Sequence, residues 1–357
     1  MQALEYLYEE NHKNSFFIDR KLVIEHKKVL LKGVRKCGKT HVIFDHLQQY
    51  EKERFLYIDW SDERIDKREI MENLAAFCRQ KALQLLIIDG YDFSFTLPPV
   101  EEMILSTNLT CKDLQGFQTY TLYPLDFEEF LAFEKKYSNI EHLFNVFTNR
   151  GTFPEMVQNS ESYHVKALQE MLHIMLPEPN AYFIYQRFCE LQGHKVSLFQ
   201  IYNHLKMLTK ISKDKVYALT ANLIDQQLLF LVEKYQQPNA PKKSYLIDFT
   251  FKNALSFKKD FSRQFENMVF LELRKRHEPI FYEEGIDFYL PKDAYAVLCV
   301  GFATKEMIEI KLQKLLPTFW SLHVKKIDVV TLSSESAQDI EGFSFTILPF
   351  WEWALQL

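Results

Sequence analysis

The chain has few cysteines, no excess of basic residues and no apolar run long enough to span a bilayer. Its five cysteines lie far apart and form no CxxC pair, so no disulfide or zinc framework can be read, and a reducing compartment fits best. The formal net charge of −5 excludes a chain that is basic overall. Nucleic acid would therefore need a local basic patch.

The longest apolar stretch, residues 294–303, is too short for a transmembrane helix. The first residues, MQALEYLYEENHKN, lack the basic start and apolar core of a signal peptide. We therefore expect a cytoplasmic protein that does not insert into a membrane. The 357 residues, 47% of them hydrophobic and 25% charged, are enough for two or three packed domains.

Short apolar runs alternate with helical periodicity between residues 27 and 126. Five runs have the length of strands, at 29–31, 55–58, 85–88, 103–105 and 120–122. The segments HVIFDHLQQYEKE and DKREIMENLAAFCRQK follow the first and second runs and place apolar residues at helical spacing. This alternation predicts an α/β domain with a parallel sheet.

Beyond residue 126 the pattern changes twice. Strand-like runs disappear, and helices are predicted over 126–137, 142–148, 162–175, 182–191, 198–209 and 215–227. The turn QQPNAPKKS then separates the strand-like runs LLFLVEKY and YLIDF. From residue 261 onward a helix over 263–275 is mixed with strands at 286–290, 296–302, 327–332 and 345–348. We predict three domains: 1–125, 126–250 and 251–357.

The segment VLLKGVRKCGKTHVIF contains the pattern GxxxxGKT between a predicted strand and a predicted helix. Gly33 and Gly38 allow the tight turn that directs backbone N–H groups at phosphate oxygens. Lys39 would reach the β- and γ-phosphates, and the Thr40 hydroxyl would bind Mg²⁺. We predict that this P-loop binds ATP through Gly33, Val34, Arg35, Lys36, Cys37, Gly38, Lys39, Thr40 and His41.

An acidic residue at the end of a neighbouring strand completes such a site by positioning Mg²⁺. The run LLIIDG supplies Asp89, and we predict Thr40 and Asp89 as the metal-binding pair. Many P-loop ATPases place a glutamate directly after this aspartate, where this chain has Gly90. Asp92 is an alternative for orienting water. An equally good interpretation is that Asp92 is a solvated loop residue without a catalytic role. The predicted catalytic residues are Lys39, Asp89 and Asp92.

The next strand along the chain ends in ILSTN. Ser106 or Asn108 in this segment is a weak candidate for a contact with the γ-phosphate. Serine and asparagine are common at strand ends without any function, so both alternatives stay open.

Seven short segments occur in an order that resembles a prokaryotic family of AAA-type ATPases. They are GVRKCGKT, YIDWSDERI, LLIID, LYPLDFEEF, NRGTFPEMV, FENMVFLEL and GIDFYL. Together they extend over nearly the whole chain, and the later ones are more specific than the P-loop. The resemblance implies a P-loop domain, a winged-helix segment and a C-terminal domain like restriction endonucleases. It implies ATP binding more firmly than any pathway.

Two departures from this family bear on hydrolysis. The family usually has Asp-Glu where this chain has Asp89 and Gly90, and Gly-Arg where it has Gly116 and Phe117. An arginine at the second position would act on the γ-phosphate, so its absence predicts slow hydrolysis. Arg150, in NRGTFPE, is the nearest alternative.

The last three helices before the turn at 236–244, with the strand-like runs around it, fit a winged helix. Lys213 and Lys215 lie near the start of the third helix, and Lys242 and Lys243 would lie at the wing tip. These positions suit phosphate contacts on DNA. The alternative to DNA binding is a helical unit that packs against protein and leaves these lysines solvated. The lack of a clustered basic face slightly favours this alternative. A DNA or protein partner and an oligomer both stay open.

A restriction-type nuclease needs an acidic helix residue, an aspartate at a strand end and Glu-x-Lys on the next strand. Glu266 and Asp287 match the first two positions. The next strand, AVLCVGF, offers CVG at 299–301, and EIK at 309–311 lies in a predicted helix. We therefore expect a scaffold retained for binding rather than an active nuclease.

The sequence as a whole predicts an ATP-binding, AAA-type switch protein that hydrolyses ATP slowly. Its architecture would be a P-loop α/β domain, then a helical and winged-helix domain, then an α/β domain like restriction endonucleases. Nucleotide state would rearrange these domains around a protein or DNA partner. A binding module that does not hydrolyse nucleotide is the first alternative, and a DNA nuclease is the second.

Overall fold

A computed structural model describes residues 2–10, 20–109, 112–134, 139–158 and 164–357. The chain divides into two compact units, Met1–Pro124 and Leu125–Leu357. The predicted boundary at residue 250 lies inside the second unit. Within the described ranges, no helix combines the length and the apolar character that crossing a membrane requires.

The first unit is built on a parallel sheet of five strands. They are β1 (Lys28–Lys32), β2 (Phe55–Asp59), β3 (Leu85–Asp89), β4 (Glu102–Thr107) and β5 (Gln118–Thr121), in the order β2-β3-β4-β1-β5. Helix α1 (Gln2–Glu9) precedes the sheet, α2 (Lys39–Leu47) follows β1, and α3 (Lys67–Gln80) follows β2. The five predicted runs coincide with these strands apart from one or two residues at their ends. The prediction of a parallel α/β sheet is confirmed.

Burial explains why this sheet could be predicted. Strand β3 is buried along its whole length, and β1, β2 and β4 are buried at all but one position each. Parallel strands that are covered on both faces consist of nearly unbroken apolar residues. Strand β5 lies at the edge, is exposed or half-buried throughout, and has the more polar sequence QTYT.

The carboxyl ends of these strands meet at one edge of the sheet. The P-loop Gly33–Thr40 connects β1 to α2 at this edge, and Asp89 is the last residue of β3. Strand β4 lies between β1 and β3. Ligands of open parallel sheets bind outside the carboxyl ends of the strands, so the fold brings the predicted site residues to the expected place.

The second unit begins with seven helices among its described residues. They are α4 (Phe127–Phe133), α5 (Ile140–Arg150), α6 (Pro154–Gln158), α7 (His164–Met175), α8 (Pro179–Glu190), α9 (Leu198–Leu205) and α10 (Lys213–Asp225). All except α6 were predicted, with ends that differ by a few residues. The predicted helical residues 135–137 and 162–163 lie outside the described residues. Helix α4 begins with a capping box between Asp126 and Glu129.

A nine-stranded sheet runs through the rest of the second unit. Its strands are β6 (Lys195–Val196), β7 (Leu229–Lys234), β8 (Lys242–Leu246), β9 (Phe281–Glu283), β10 (Ile286–Leu290), β11 (Tyr295–Cys299), β12 (Lys326–Thr331), β13 (Ser336–Ile340) and β14 (Phe343–Pro349). Their order is β13-β14-β12-β11-β10-β9-β7-β8-β6. Strand β7 pairs with β9 in parallel, so strands from both sides of residue 250 share one sheet.

Four further helices accompany this sheet, α11 (Phe251–Leu255), α12 (Phe261–Arg276), α13 (Lys305–Ser321) and α14 (Phe350–Gln356). The predicted helix 263–275 lies within α12, and EIK at 309–311 lies within α13, as predicted. The predicted strands correspond to β10, β11, β12 and β14. Strands β9 and β13 were missed, because one has three residues and the other, SAQDI, has little apolar character.

One prediction in this region is wrong. Lys242 and Lys243 lie within β8 and not at the tip of the turn, which spans residues 235–241. Lys243 is buried there, with only 8% of its side chain exposed. A lysine is stable in a buried strand when carboxylates pair with its ammonium group, and two such partners, Glu266 and Asp287, come from distant parts of the chain.

Phenylalanine side chains join the two ends of the second unit. Phe127 and Phe130 in α4, Phe144 and Phe147 in α5, and Phe350 in α14 form one cluster, with centroids of neighbouring rings 5.0–6.5 Å apart. Several of these pairs meet edge to face, an arrangement that aromatic quadrupoles favour. Aromatic residues make up 15% of the chain, and this cluster gives a structural reason for part of them.

Candidate functional site

The two glycines of the P-loop meet different geometric requirements. A Cβ atom at Gly33 would lie 2.4 Å from the carbonyl oxygen of Leu122, so no side chain fits there. The Gly33 N–H donates to the Thr107 carbonyl at 3.1 Å, which ties the loop to the end of β4. Gly38 has a φ of 102°, a left-handed conformation that glycine adopts without strain.

Helix α2 presents its N-terminus to the loop. The helix begins at Lys39, and its capping residue Gly38 supplies no side-chain hydrogen bond. The first N–H groups of a helix have no partner within the helix, and they carry the positive end of its dipole. This end of α2 is therefore suited to phosphate oxygens.

The Lys39 side chain folds back over the P-loop. Its Nζ donates to the carbonyl oxygens of Gly33 and Val34, each at 2.8 Å. The ammonium group is therefore held inside the loop, and anionic oxygens that enter the loop would compete with two neutral carbonyls for it. Charge-assisted hydrogen bonds to anions are the stronger ones, so this arrangement favours phosphate.

The other predicted loop residues divide into two classes. The side chains of Val34 and Cys37 are buried, so only their backbone groups face the loop. The side chains of Arg35, Lys36 and His41 are exposed. Their predicted contacts with nucleotide stay predictions.

Asp89 lies at the centre of a buried hydrogen-bond network. The residue is 8% exposed, and its carboxylate accepts from three hydroxyl groups. The Thr40 Oγ1 lies 2.6 Å from Oδ2, the Tyr57 hydroxyl lies 3.0 Å from the same oxygen, and the Ser106 hydroxyl donates to Oδ1. The donors come from α2, β2 and β4, so three elements orient this carboxylate toward the P-loop.

Tyr57 was not predicted as a site residue. Burial, followed by the charge of Asp89, raises its pKa, so the phenol keeps its proton and donates to the carboxylate. The only sequence signal is a hydroxyl group within the otherwise apolar strand FLYID. Ser106 also accepts from the Gly90 N–H at 2.9 Å. Its predicted contact with the γ-phosphate, like that of Asn108, stays a prediction.

The backbone turns immediately after Asp89. Gly90 has a φ of +86°, a conformation that costs a side-chain-bearing residue about 1–2 kcal/mol, so a glutamate at this position would be strained. Asp92 is exposed, and its Oδ1 accepts from the Ser94 N–H at 3.0 Å. Its predicted catalytic role stays a prediction.

A second carboxylate, missed by the sequence analysis, lies at the same edge of the sheet. Asp59 ends β2 and is the register partner of Asp89 on β3. Its Oδ1 accepts from the N–H and the hydroxyl of Ser61, at 2.9 and 2.6 Å. The segment YIDWSDERI contained it, but its place beside Asp89 depends on strand pairing.

Arg20 supports the P-loop from outside the motif. One guanidinium nitrogen donates to the Cys37 carbonyl at 2.8 Å, and the other donates to the Tyr123 carbonyl at 2.6 Å. The bidentate group therefore links the loop to the segment after β5. Arg20 was not predicted as a site residue, because it lies before the first strand and belongs to no local motif.

The residues around the loop fit Mg²⁺ together with a nucleotide. Mg²⁺ takes one or two protein oxygens and completes its shell with water and phosphate oxygens, and Thr40 and Asp89 offer such a pair 2.6 Å apart. Across the described parts of the chain, no group of three or more His, Cys, Asp or Glu residues forms a metal cage. Thr40 and Asp89 therefore fit an ion that completes its shell with water and nucleotide phosphates.

Comparisons with known proteins agree with this geometry. Residues 25–93 match the family model of an AAA domain. This range contains the P-loop, Asp59 and Asp89. The match supports nucleotide binding by an AAA-type, ATPase-like domain. Over an alignment of 403 residues the chain is 28% identical to the uncharacterized protein MJ1544 of Methanocaldococcus jannaschii, covering 95% of this chain and 90% of that protein.

Two solved structures are similar at low levels. The Walker-type ATPase PABY2304 of Pyrococcus abyssi has a TM-score of 0.42 and 13% identity, covering 64% of this chain and 90% of its own. The Aeropyrum pernix ORC1 protein in complex with DNA has a TM-score of 0.35 and 13% identity, covering 65% and 87%. Because both TM-scores lie below 0.5, nothing about the function of this chain follows from either structure.

The predicted acidic pair of the second unit lies in a cluster of ion pairs. The Lys243 Nζ lies 2.7 Å from Glu266 Oε1 and 3.2 Å from Asp287 Oδ1. Arg263 lies 2.7 Å from the other oxygen of Glu266, and Lys311 lies 3.8 Å from Asp287 Oδ2. We call these five residues the lysine-centred cluster. Its two carboxylates face three cationic side chains, so a divalent ion would have to displace these cations to reach the carboxylates.

The cluster shifts the titration of its members. Burial pushes the pKa of the Asp287 carboxyl up, but Lys243, Lys311 and the hydrogen bond from the Cys299 N–H together hold the pKa below its ordinary value. Burial pushes the pKa of Lys243 down, but Asp287 and Glu266 outweigh it and keep the pKa raised. Both groups are therefore charged at neutral pH.

Other predicted residues of the second unit have structural partners. Arg150 lies 3.0 Å from Glu134 Oε2 and donates to the Val157 carbonyl at 2.8 Å, so its guanidinium forms its hydrogen bonds within the second unit. Lys215 forms an ion pair with Glu178 at 2.8 Å. In the first unit, Phe117 packs against the apolar core at the position where the resembling family has arginine.

Proposed function

We propose that this chain is an ATP-binding switch protein that hydrolyses ATP slowly and acts on a protein or DNA partner. The observation that carries the proposal is the contact between Thr40 and Asp89, 2.6 Å apart, beside a loop that already holds the Lys39 ammonium. These are the groups that Mg²⁺ and triphosphate need, in one place, on a domain that matches an AAA family model.

Each residue has a separate task in this proposal. The backbone N–H groups at the start of α2 bind the phosphates, and Lys39 leaves its loop carbonyls to contact the β- and γ-phosphates. Thr40 and Asp89 would hold Mg²⁺, which would supply positive charge to neutralise the triphosphate. Tyr57 and Ser106 keep the Asp89 carboxylate in position. Arg20 keeps the loop in the shape that the phosphates require.

Slow turnover follows from two positions at which this chain lacks the polar side chains of the family it resembles. Position 90 is a glycine with a left-handed backbone, and Phe117 takes the place of an arginine. Asp59 and Asp92 are two carboxylates near the carboxyl ends of β2 and β3, and both already accept local hydrogen bonds. Orienting a water molecule would require one of them to give up such a bond.

A module that binds nucleotide without hydrolysing it is the second candidate. The same observation about Gly90 favours it, because an ATPase without a positioned base loses roughly 10²–10⁴-fold in rate. The two candidates share the binding site and differ only in turnover. We give preference to slow hydrolysis because Asp59 and Asp89 are adjacent at the strand ends.

The predicted winged-helix and C-terminal domains belong to the proposal as the parts that engage the partner. Helices α8, α9 and α10 with strands β6, β7 and β8 support the first assignment by their order. DNA cleavage is not proposed, because Lys243 and Arg263 already occupy the carboxylates that a nuclease uses for Mg²⁺.

The proposal is tested by nucleotide binding and turnover with Lys39→Ala. We expect the wild type to bind ATP with Mg²⁺ and to hydrolyse it more slowly than about 1 s⁻¹, the low end for enzymes. Lys39→Ala should weaken ATP binding at least about tenfold and abolish turnover, because a charge-assisted contact of about 1.5–3 kcal/mol is lost. Calorimetry and phosphate release measure the two effects.

Lys28→Ala is the matched control. Lys28 is the first residue of β1, at the amino end of the strand whose carboxyl end leads into the P-loop, and its replacement should leave both measurements unchanged. If wild-type protein binds no nucleotide, the proposal is wrong. If it binds ATP but releases no phosphate that depends on Mg²⁺ and Lys39, the second candidate replaces it.

A further inference from the structure

A ridge of aromatic, basic and aliphatic side chains lies on the outside of α9, α10 and the turn that joins them. None of its residues belongs to the nucleotide site or to the lysine-centred cluster. We call it the basic-aromatic ridge, and it consists of Phe199, Tyr202, Lys206, Met207, Leu208, Lys213 and Tyr217.

The charged and aromatic members of the ridge contact one another in a continuous series. The Lys206 Nζ lies 5.5 Å from the centre of the Tyr202 ring, which lies 6.4 Å from the Phe199 ring. The Lys213 Nζ lies 5.8 Å from the Phe199 ring and 5.4 Å from the Tyr217 ring. Ammonium groups at this distance are attracted to aromatic faces. These five side chains therefore form one continuous surface.

These side chains are not part of the core. Helix α9 buries Ile201 and Leu205, whereas α10 buries Val216, Leu219, Thr220 and Leu223. The ridge occupies the remaining face, where Phe199 is 53% exposed, Met207 74% and Leu208 72%. Single exposed apolar residues are ordinary, but contiguous ones mark binding surfaces.

The charge of this segment is opposite to that of the chain. Residues 199–217 contain four lysines and one aspartate, while the whole chain has a formal net charge of −5. Lys215 is paired with Glu178, but Lys206 and Lys213 lie over aromatic rings. A partner that carries carboxylates would therefore gain charge complementarity at this surface.

We propose that the basic-aromatic ridge binds an acidic amphipathic segment of a partner protein. The segment would place leucine, isoleucine or phenylalanine side chains on Phe199, Met207 and Leu208, with flanking Asp and Glu side chains on the lysines. Phosphates would satisfy the lysines but would leave the aliphatic Met207 and Leu208 uncovered. The aliphatic part of the ridge thus favours protein over nucleic acid.

Fluorescence anisotropy tests the proposal with a labelled peptide of about 20 residues. The peptide forms a helix with leucines on one face and glutamates elsewhere, and a shuffled peptide of the same composition lacks that face. We expect binding to the full chain at about 10 µM and at least about tenfold weaker binding of the shuffled peptide.

Two double variants locate the binding. Phe199→Ser with Leu208→Ser removes apolar contacts, and Lys206→Glu with Lys213→Glu reverses charge. Each should weaken peptide binding at least about tenfold without lowering the thermal unfolding midpoint, because these side chains lie outside the core. The matched control is Phe257→Ser with Lys258→Glu, an exposed phenylalanine beside a lysine elsewhere in the second unit, which should bind like wild type.

Lys39→Ala separates this inference from the proposed function, because it should keep peptide binding even if nucleotide binding fails. The proposal is overturned if the peptide does not saturate below about 1 mM, if the shuffled peptide binds equally, or if the ridge variants bind like wild type. Tighter binding of a single-stranded or duplex DNA of about 20 nucleotides, lost in the same variants, would also overturn it.

Discussion

At Gly33 the backbone leaves room for nothing larger than a hydrogen atom. The obstacle is the Leu122 carbonyl oxygen, 2.4 Å from an ideal Cβ position, and backbone atoms move less easily than side chains. Gly33→Ala should lower the free energy of unfolding by about 1–3 kcal/mol, as other overpacked substitutions do. It should also weaken ATP binding, because the loop must shift. Chemical denaturation and calorimetry measure the two effects.

Gly116→Ala provides the comparison. Gly116 has a φ of +81° and open space around its Cβ position, so the substitution costs only backbone strain of about 1–2 kcal/mol. It should leave ATP affinity unchanged. Equal ATP affinities for the two variants would contradict the assignment of Gly33 to the phosphate site.

At the scale of elements, the lysine-centred cluster connects β8, α12, β10 and α13 through buried charges. Lys243→Met removes the cation that touches both carboxylates. Removing one partner of a buried ion pair costs about 3–5 kcal/mol. Because Arg263 and Lys311 still face the two carboxylates, we expect the unfolding free energy to fall by an amount at the low end of that range. Denaturant unfolding that is monitored for the second unit measures the loss.

The adjacent residue is the control for Lys243→Met. Lys242 lies on the same strand and pairs with Glu233 at the surface, where about a third of both side chains is exposed. Such a pair contributes about 0–1 kcal/mol, so Lys242→Met should be nearly neutral. Similar losses for both variants would show that burial of the cluster has little energetic weight.

The same cluster predicts a pH dependence. The folded-state pKa of Asp287 is held below its ordinary value of 3.8, so its contribution to stability is present above that value. The contribution is lost as the pH falls through the lowered pKa. The stability difference between wild type and Lys243→Met should therefore narrow below about pH 4. Thermal unfolding midpoints between about pH 3 and 7 test this, and a difference that widens toward acid contradicts it.

At the scale of the whole molecule, local patterns predicted the first unit better than the second. The P-loop is a contiguous motif, and the buried parallel strands are unbroken apolar runs, so both could be recognised without knowing any long-range contact. Asp89 was predicted because its place follows from a strand end. The helices of the second unit were predicted for the same reason, since each has its own periodicity.

Residues whose roles depend on distant partners could not be predicted. The order of the strands brings Tyr57 and Asp59 to the nucleotide site. Arg20 is tied to this site partly by its hydrogen bond to the Tyr123 carbonyl, 103 residues later in the chain. Lys243 was assigned to an exposed turn because its two carboxylate partners lie 23 and 44 residues away. Sequence proximity contains no information about such pairs.

The pairing of β7 with β9 has a consequence for shortened versions of this protein. A cut after residue 250 would separate these two strands. It would also separate Asn267 from Leu246, although the Asn267 side chain accepts from the Leu246 N–H and donates to the Leu246 carbonyl. The same cut would break the hydrogen bond that the Phe127 N–H donates to the Glu272 carboxylate. Each fragment would expose a sheet edge and unsatisfied polar groups, which promote aggregation. The second unit is therefore best produced, crystallised and titrated as one piece.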